Sequence, residues 1–265
     1  MMKFLICVEG SQAADEAAQI GEGLAKLAGA EAVRFRVVDS QREAERHRGT
    51  GSLLRVGSPV QEILAEAERG NFDLIVIGAH TRHRLAEMFV GSTASRLAKQ
   101  SRIPVLVVKQ PHQTTKSVLV CTGGEAPGGF CAQWGGRVAA WTGASLTILH
   151  VMSQIAFGAK SNLDELDDTA EEAISQGTRE GKHLQSAVQL AQEAGAGGEV
   201  KTKIRHGLVL DEILEEVEAG DYDLVAIGAH YVPSNDPLRG LLLDDIADQI
   251  VNQCPRNVLV VRYKQ

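Results

Sequence analysis

The sequence lacks the short motifs of the commonest nucleotide-dependent enzymes and of serine hydrolases. Its 265 residues contain no GxxxxGK[ST] loop and no GxGxxG element after a first strand, which excludes the P-loop and dinucleotide-binding motifs. A G-x-S-x-G elbow, which exposes the serine nucleophile in one large hydrolase class, is also absent. Any ligand chemistry must therefore use another arrangement of residues.

Long apolar runs and paired cysteines are missing as well. The apolar run near the amino terminus, Phe4–Val8, ends at Glu9, whereas a signal peptide needs a longer run and a membrane helix needs roughly 20 residues. We therefore expect a cytoplasmic protein. The cysteines form no C-x-x-C pair, and two of them fall in predicted strands, where we expect buried free thiols. The four cysteines are Cys7, Cys121, Cys131 and Cys254.

The composition is that of a globular protein that forms a hydrophobic core, with 44% hydrophobic and 23% charged residues. The net charge of -7 argues against broad binding to nucleic acid or to anionic membranes, because both surfaces would repel the chain. A small anionic ligand remains compatible with this charge, since it needs only local positive charge.

One stretch of the chain occurs twice. The segment DLIVIGAH at Asp73–His80 returns as DLVAIGAH at Asp223–His230, an offset of 223 minus 73, or 150 residues. Aligned at this offset, residues 56–80 and 206–230 share 13 identities in 25 positions. Unrelated sequences share far fewer, so the chain contains an internal duplication.

Each half alternates short, apolar, β-branched segments with helical patterns, in the first of which small and apolar residues recur at steps of three and four: Ala14, Ala17, Gly21, Leu24, Ala25 and Ala28. Such strands must be covered on both faces, so the pattern predicts an α/β fold of two tandem, doubly wound, five-stranded parallel sheets with right-handed crossovers. The polar connector Lys109–Ser117 places the domains at 1–110 and 111–265. The predicted strands are Lys3–Val8, Ala32–Val38, Ser52–Val56, Phe72–Ile77 and Pro104–Val108, then Ser117–Cys121, Ser145–Val151, Val200–Arg205, Tyr222–Ile227 and Val258–Arg262.

The halves differ in the crossover after the second strand. The offset between the halves grows from 114 at Cys7 and Cys121 to 150 at the fourth strand, so the second half holds 150 minus 114, or 36, extra residues. They include a helical pattern with Leu184, Ala187, Val188 and Ala191 on one face. The first half has only DSQREAERHRGTG there, which is too short for a strand, a full helix and the return of the chain. We expect one face of the first sheet to be poorly covered, and to be buried against the other half or another subunit.

The loops after the strands of the first half favour an anion. In an open α/β sheet, the ligand lies beyond the carboxyl ends of the strands. After the fourth strand, Arg82–Arg84 supplies positive charge. A new helix starts after Gly91, and either Ser92 or Thr93 can cap it. Small residues at a helix start leave its amide hydrogens open to a phosphate.

The ordered set of motifs resembles the universal stress protein (UspA-like) family in tandem form. The set comprises VEGS at Val8–Ser11, RVVD after the second strand, DLIVIG in the fourth, a Gly-x2-[Gly]-x9-Gly-Ser element, and a closing PVLVV. The resemblance implies a Rossmann-like fold of the adenine nucleotide alpha hydrolase type, usually dimeric, that holds ATP or AMP, with or without Mg²⁺, at the glycine element.

Carried over by position, the resemblance assigns Gly78, Gly91 and Ser92 to the phosphate and ribose, and Val37 to adenine. Two positions depart from the family pattern. Glu9 stands where the family has Asp, and Thr81 stands where the middle Gly belongs. The candidate nucleotide site of the first half therefore comprises Glu9, Val37, Gly78, His80, Thr81, Arg82, Gly91, Ser92 and Thr93.

His80 and His230 also recur at the end of the fourth strand. This recurrence is compatible with a catalytic or metal role, but we expect hydrogen bonding within the loop. For the acidic run Asp164–Asp168, the choice is between a metal site and a solvated helix start. The run lacks the Gly turn of a calcium loop, so we expect the solvated helix start.

The second half departs further from the family pattern than the first half does. Aligning VLVV on VLVV gives an offset of 153, which places Asp244 and Asp245 where Gly91 and Ser92 stand. Carboxylates at a helix start repel phosphate, Gly123 replaces Glu9, and Tyr231 replaces the middle Gly. We therefore expect at most one nucleotide site, in the first half.

Three functions remain open at this point. The first is nucleotide-dependent stress sensing or signalling through a protein partner, and the second is a nucleotide-independent scaffold in which both sites have decayed. The third is an enzyme such as an ATPase, and phosphorylation of Ser92, Thr93 or Ser95 belongs with it; we expect no enzyme, because no general base stands in a clear position. In the family, fifth strands pair across a dimer, so Val105–Val108 and Val258–Val261 are the predicted interface of an intramolecular pseudo-dimer, with a homodimer as a further option.

Overall fold

The computed structural model describes residues 1–79, 82–84, 87–89, 92–110, 114–123, 126–153, 169–230 and 246–263. The chain divides into two compact units, of which unit 1 comprises residues 1–113 and 231–265 and unit 2 comprises residues 114–230. The units thus divide the chain differently from the two sequence repeats, because the carboxyl-terminal segment of the second repeat belongs to unit 1.

The elements follow the alternation that the sequence predicts. In chain order they are β1 (Lys3–Cys7), α1 (Gln12–Ala28), β2 (Glu31–Val38), α2 (Gln41–Arg46), β3 (Leu53–Val56), α3 (Pro59–Arg69), β4 (Leu74–Gly78), β5 (Arg82–Arg84), β6 (Glu87–Phe89), α4 (Ser92–Gln100), β7 (Val105–Val108), β8 (Ser117–Thr122), α5 (Ala126–Thr142), β9 (Ser145–Ser153), α6 (Ala170–Gln176), α7 (Arg179–Glu193), β10 (Val200–Gly207), α8 (Val209–Ala219), β11 (Leu224–His230), α9 (246–253) and β12 (Asn257–Tyr263).

Both units are built on parallel strands, as predicted. In unit 1 the strand order is β12-β7-β4-β1-β2-β3, and the pairs of neighbouring strands from β7 to β3 are all parallel. In unit 2 the order is β10-β9-β8-β11, with parallel pairs throughout. The short antiparallel hairpin of β5 and β6 was not predicted from the sequence.

The central strands are apolar because helices cover both of their faces. Four of the five residues of β1 and all four of β7 are buried. Helix α1 begins at the cap Ser11, whose Oγ accepts a hydrogen bond from the Ala14 amide, and ends at Gly29 with φ 62°. Its predicted apolar face is confirmed from Ala14 through Ala25.

The predicted difference between the two crossovers is confirmed. Helix α2 has six residues and buries none of them. In unit 2, helix α7 has 15 residues and buries Leu184, Ala187 and Ala191. It packs closely on α5, because a Cβ at Gly136 would come within 2.8 Å of the Ala191 Cα.

The two segments predicted to pair also lie side by side. Strand β12 is antiparallel to β7, with Val258 opposite Val107, Leu259 opposite Leu106, and Val260 opposite Val105. The pairing lies within one chain. It removes the exposed strand edge that β7 would otherwise present.

All four cysteines are free and buried, as predicted for Cys7 and Cys121. None of the described helices combines the length and hydropathy that crossing a bilayer requires.

Candidate functional site

A pocket opens in unit 1 at the carboxyl ends of β1, β2 and β4. The space within it is about 460 Å³ when the open solvent at its mouth is included. The lining residues are Cys7, Val8, Glu9, Ala14, Phe35, Val37, Pro59, Ile63, Ile77, Gly78 and Thr93. This edge of the sheet is where the strand order predicts a ligand.

Four of the residues predicted for the nucleotide site line this one pocket. Glu9 follows β1, Val37 lies in β2, Gly78 ends β4, and Thr93 lies in the first turn of α4. Two others can be placed by their backbone. Ser92 is the first residue of α4 and Arg82 the first of β5, whereas His80, Thr81 and Gly91 lie outside the described residues.

The walls of the pocket are apolar. Phe35 and Val37 are two positions apart on β2, so both point to the same side of the sheet, where Pro59 and Ile63 of α3 also lie. Among these four residues, only Val37 was predicted from the sequence to belong to the site. Phe35 could have been predicted as well, because it lies two positions before Val37 on the same strand and so shares its face.

The cysteine in the wall is held as a neutral thiol. Burial, with a further contribution from the Glu9 carboxylate, raises the pKa of the Cys7 thiol to about 12. The reactive form of cysteine is the thiolate. Cys7 therefore contributes apolar surface to the pocket and no nucleophile.

The loop after β1 places the Glu9 carboxylate at the pocket, and Gly10 of this loop lies against the Arg36 side chain. The Ser11 hydroxyl donates a 3.4 Å hydrogen bond to Oε1 of Glu9. Gly10 has φ +87°, and a Cβ there would lie 3.0 Å from Nη1 of Arg36. Glycine is thus required both by the backbone conformation and by the neighbouring side chain. Nε of Arg36 is buried without a hydrogen-bond partner.

Helix α4 starts without a negative charge. Its first turn contains no acidic residue, and Thr93 of that turn lines the pocket. The unpaired amide hydrogens of a helix start carry partial positive charge that attracts anions. The pocket therefore joins an apolar slot to a helix terminus suited to an anion.

Gly78 also has a packing role. A Cβ at this position would lie 3.1 Å from the carbonyl oxygen of Ala13 and 3.1 Å from the Cβ of Ala17. The glycine thus lets the first turns of α1 approach the end of β4. The same residue recurs in DLVAIGAH as Gly228, in a half where Gly123 stands in place of Glu9, which fits a requirement for packing.

The corresponding edge of unit 2 differs in its polar groups. Strand registers fix the equivalence, since Cys7 lies opposite Phe35 and Cys121 opposite Leu149, which makes Val151 the counterpart of Val37. Gly123 is exposed where unit 1 has Glu9. The equivalent of Arg36 is His150, whose Nδ1 lies 3.1 Å from the carbonyl oxygen of Thr122.

Comparison with known proteins decides the family. The family model described as "Universal stress protein family" matches residues 39–109 and again residues 114–262. The chain belongs to the universal stress protein family. Because the model matches twice, the chain is a tandem universal stress protein, as its internal duplication indicates.

Curated relatives match over shorter segments. The chain is 40% identical over 60 residues to "Universal stress protein MJ0577" of Methanocaldococcus jannaschii, covering 23% of this chain and 37% of that protein. It is 40% identical over 53 residues to "Stress response protein NhaX" of Bacillus subtilis, covering 20% of this chain and 32% of that protein. The chain thus matches about a third of the length of these relatives.

Solved structures share the fold over nearly the whole chain. A universal stress protein from Archaeoglobus fulgidus superposes with a TM-score of 0.69 at 16% identity, covering 98% of each chain. A putative universal stress protein from Pseudomonas aeruginosa superposes with a TM-score of 0.65 at 17% identity, covering 99% of this chain and 93% of that one. At these identities, the likeness establishes the fold of this tandem universal stress protein.

Proposed function

We propose that this protein is a stress-response sensor that binds one adenine nucleotide, ATP or AMP, in the pocket of unit 1. The observation that carries the proposal is the convergence of Glu9, Val37, Gly78 and Thr93 on one pocket at the carboxyl ends of the strands. The function is binding, and the bound state is the signal that a protein partner reads.

The apolar part of the pocket suits a nucleobase. Phe35, Val37 and Ile63 offer flat, uncharged surface, which an aromatic base covers favourably. The Glu9 carboxylate at the same pocket only accepts hydrogen bonds, so it would take one from a ribose hydroxyl or an exocyclic amine. A carboxylate repels phosphate, which orients the phosphates away from Glu9.

The opposite side of the pocket suits phosphate. Thr93 and the start of α4 present a hydroxyl and a helix terminus with no acidic residue in its first turn. Within the described residues, no cluster of three acidic, histidine or cysteine side chains could hold a metal ion. Mg²⁺ would therefore reach the site bound to the phosphates of ATP.

The second repeat supplies a matched control for a binding test. We expect Val37→Trp to weaken ATP binding by more than about tenfold, because the indole fills the slot proposed for the base. Val151→Trp changes the equivalent residue of β9 and should leave the affinity unchanged. Isothermal titration of the full chain with ATP and Mg²⁺ measures both variants, and circular dichroism confirms that each is folded.

The outcomes separate the candidate functions. A stoichiometry of one that is lost in Val37→Trp, and also in Gly91→Asp, supports a single site in unit 1. Absence of binding at millimolar ATP in the unsubstituted protein contradicts the proposal and favours a nucleotide-independent scaffold. Sustained ATP hydrolysis above that of a Ser92→Ala variant contradicts the binding-only role and favours an enzyme.

A further inference from the structure

The pairing of β7 with β12 in unit 1 has the geometry of a two-fold axis. Leu106 lies opposite Leu259, and these residues are each other's counterparts at the offset of 153 between the repeats. Val105 and Val107 lie opposite Val260 and Val258, which are the counterparts in exchanged order. In such a symmetric contact, a residue on the axis meets its own equivalent.

A second pair of counterparts meets on the helices beside these strands. Ser95 of α4 donates a 2.7 Å hydrogen bond from Oγ to Oδ1 of Asp248 on α9, again at a separation of 153 residues. Lys99, one turn further along α4, places Nζ 2.8 Å from Oδ2 of the same carboxylate. The Asp248 side chain is only 17% exposed, so these contacts replace much of the hydration that its carboxylate loses.

The strand ends add contacts of the same kind in both directions. Arg262, at the end of β12, donates from Nε and Nη2 to the carbonyl oxygen of Ala98 in the last turn of α4, at 3.0 and 2.6 Å. Its counterpart Lys109 donates from Nζ to the carbonyl oxygen of Cys254, directly after α9. Each repeat thus places a cation at the carboxyl end of the other repeat's helix, where it stabilises the last carbonyl groups.

The contact of β7 and α4 with β12 and α9 is symmetric in its backbone, but the charged side chains of the two repeats differ. Two copies of α9 in this arrangement would bring Asp248 against Asp248, with Asn252 where Lys99 stands and so no cation between them. Two copies of α4 would bring Ser95 against Ser95 and leave both Lys99 side chains without the carboxylate. Only the mixed pair matches a carboxylate with a hydroxyl and an ammonium group.

We propose that Asp248, with Ser95 and Lys99, selects the partner of the β7 edge, so that this surface accepts the second repeat and rejects a like repeat from another copy of the chain. The charges act on the choice of partner, because like charges brought together in a partly buried contact are unfavourable. The inference does not depend on nucleotide binding.

Single substitutions in the full chain reproduce the like side chains of the rejected pairings at the axis. Ser95→Asp places a carboxylate against Asp248, as two second repeats would, with Lys99 still present, and Asp248→Ser places a hydroxyl against Ser95, as two first repeats would. The double variant, Ser95→Asp with Asp248→Ser, exchanges the two side chains across the axis. It keeps the carboxylate near Lys99, which lies four residues further along α4.

The measurement is urea unfolding of all four proteins, followed by far-ultraviolet circular dichroism. We expect Ser95→Asp to raise the unfolding equilibrium constant by about tenfold or more and Asp248→Ser by less, and the double variant to recover most of both losses. If Ser95→Asp unfolds like the original protein, or if the two losses simply add in the double variant, the proposal is wrong. Should Ser95→Asp fail to fold, the double variant decides, because the proposal requires it to fold.

Discussion

Replacing Glu216 with alanine is expected to lower the free energy of unfolding of unit 2 by about 3 kcal/mol. The Glu216 side chain is 2% exposed. It accepts hydrogen bonds from Lys203 Nζ at 2.6 Å, Tyr222 Oη at 2.7 Å and Arg205 Nε at 2.9 Å. Removing the carboxylate leaves these donors without their acceptor, and the tyrosine hydroxyl is buried, so water cannot fully replace the lost bond.

The charge state of Glu216 supports this central role. Burial alone would raise the pKa of the carboxyl, but the hydrogen bonds from Lys203, Tyr222 and Arg205 outweigh burial and hold the pKa below its usual value. Because the pKa is lowered in the folded state, the stabilisation is present above the unfolded value and is lost as the pH falls through the folded value. The loss from alanine substitution should therefore be fully visible at neutral pH.

A neighbouring glutamate provides the control. Glu215 is 68% exposed and lies 3.6 Å from Arg205, so Glu215→Ala should change the stability little. Both tryptophans of the chain, Trp134 and Trp141, lie in α5 of unit 2, and their fluorescence during urea unfolding therefore reports on this unit. If Glu216→Ala and Glu215→Ala lower the free energy of unfolding equally, the buried hydrogen bonds of Glu216 stabilise unit 2 no more than the exposed ion pair of Glu215 does.

The same network occurs in unit 1 in a simpler form. Glu66, the counterpart of Glu216, pairs with Arg55 at 2.9 Å and Arg69 at 2.6 Å. Phe72 stands where unit 2 has Tyr222, so no hydroxyl is left unsatisfied when the carboxylate is removed. This ion pair joins α3 to β3 in unit 1 and α8 to β10 in unit 2.

Most of the fold could be predicted because its signals are local. Apolar β-branched runs predicted the strands, and spacing of three and four predicted the buried face of α1. The short crossover was predictable from counting, since the 14 residues between β2 and β3 leave room only for the six-residue α2. Strand pairing at the β7 edge followed from the resemblance to a family.

The parts that sequence analysis missed depend on contacts between distant segments. Nothing in VEGS indicates that the Arg36 guanidinium would lie against Gly10, because the two residues meet only when β1 and β2 pair. The hydrogen bond between Ser95 and Asp248 joins residues 153 positions apart, so no pattern along the chain could reveal it. A role inferred from a motif can also be incomplete, as the packing of Gly78 against α1 shows.

For the candidate site, sequence analysis located the edge of the sheet better than the walls of the pocket. Glu9, Val37 and Gly78 were predicted because the family pattern marks loops and strand ends, and Thr93 was predicted as a cap of the helix that follows. Pro59 and Ile63 were not named, since they belong to a helix whose position over the pocket is set by tertiary packing.

Acidification is expected to destabilise unit 2 through a buried histidine pair before its carboxylates titrate. The rings of His150 in β9 and His183 in α7 lie 5.2 Å apart, and Nε2 of His183 is buried without a hydrogen-bond partner. Burial, together with the neighbouring His150, lowers the pKa of His183 to about 4. Burial also lowers the pKa of His150, although the hydrogen bond to the Thr122 carbonyl opposes it.

The charges around the pair partly cancel. Glu180 favours protonation of both rings, whereas Arg179 disfavours it, and His206 further disfavours protonation of His150. Since the pKa values in the folded state lie below the ordinary histidine value of 6.5, the unfolded chain takes up protons first as the pH falls below 6.5. Stability therefore decreases with falling pH, by roughly 2 kcal/mol between pH 6.5 and about 5 once partial exposure is allowed for.

Substitution of His183 by glutamine isolates this effect. Glutamine does not titrate and also removes the like charge that would face a protonated His150, so the slope of stability against pH should fall by at least half. The window above pH 5 matters because the Glu216 carboxyl, with a pKa lowered from 4.5, stays ionised there. Urea unfolding followed by tryptophan fluorescence gives the slope, and His47→Gln in unit 1 serves as the matched control. His183→Gln removes a proton-binding site from the contact between β9 and α7, whereas His47→Gln does not. If the original protein and His183→Gln show the same slope of stability against pH, the acid sensitivity of unit 2 originates outside this histidine pair.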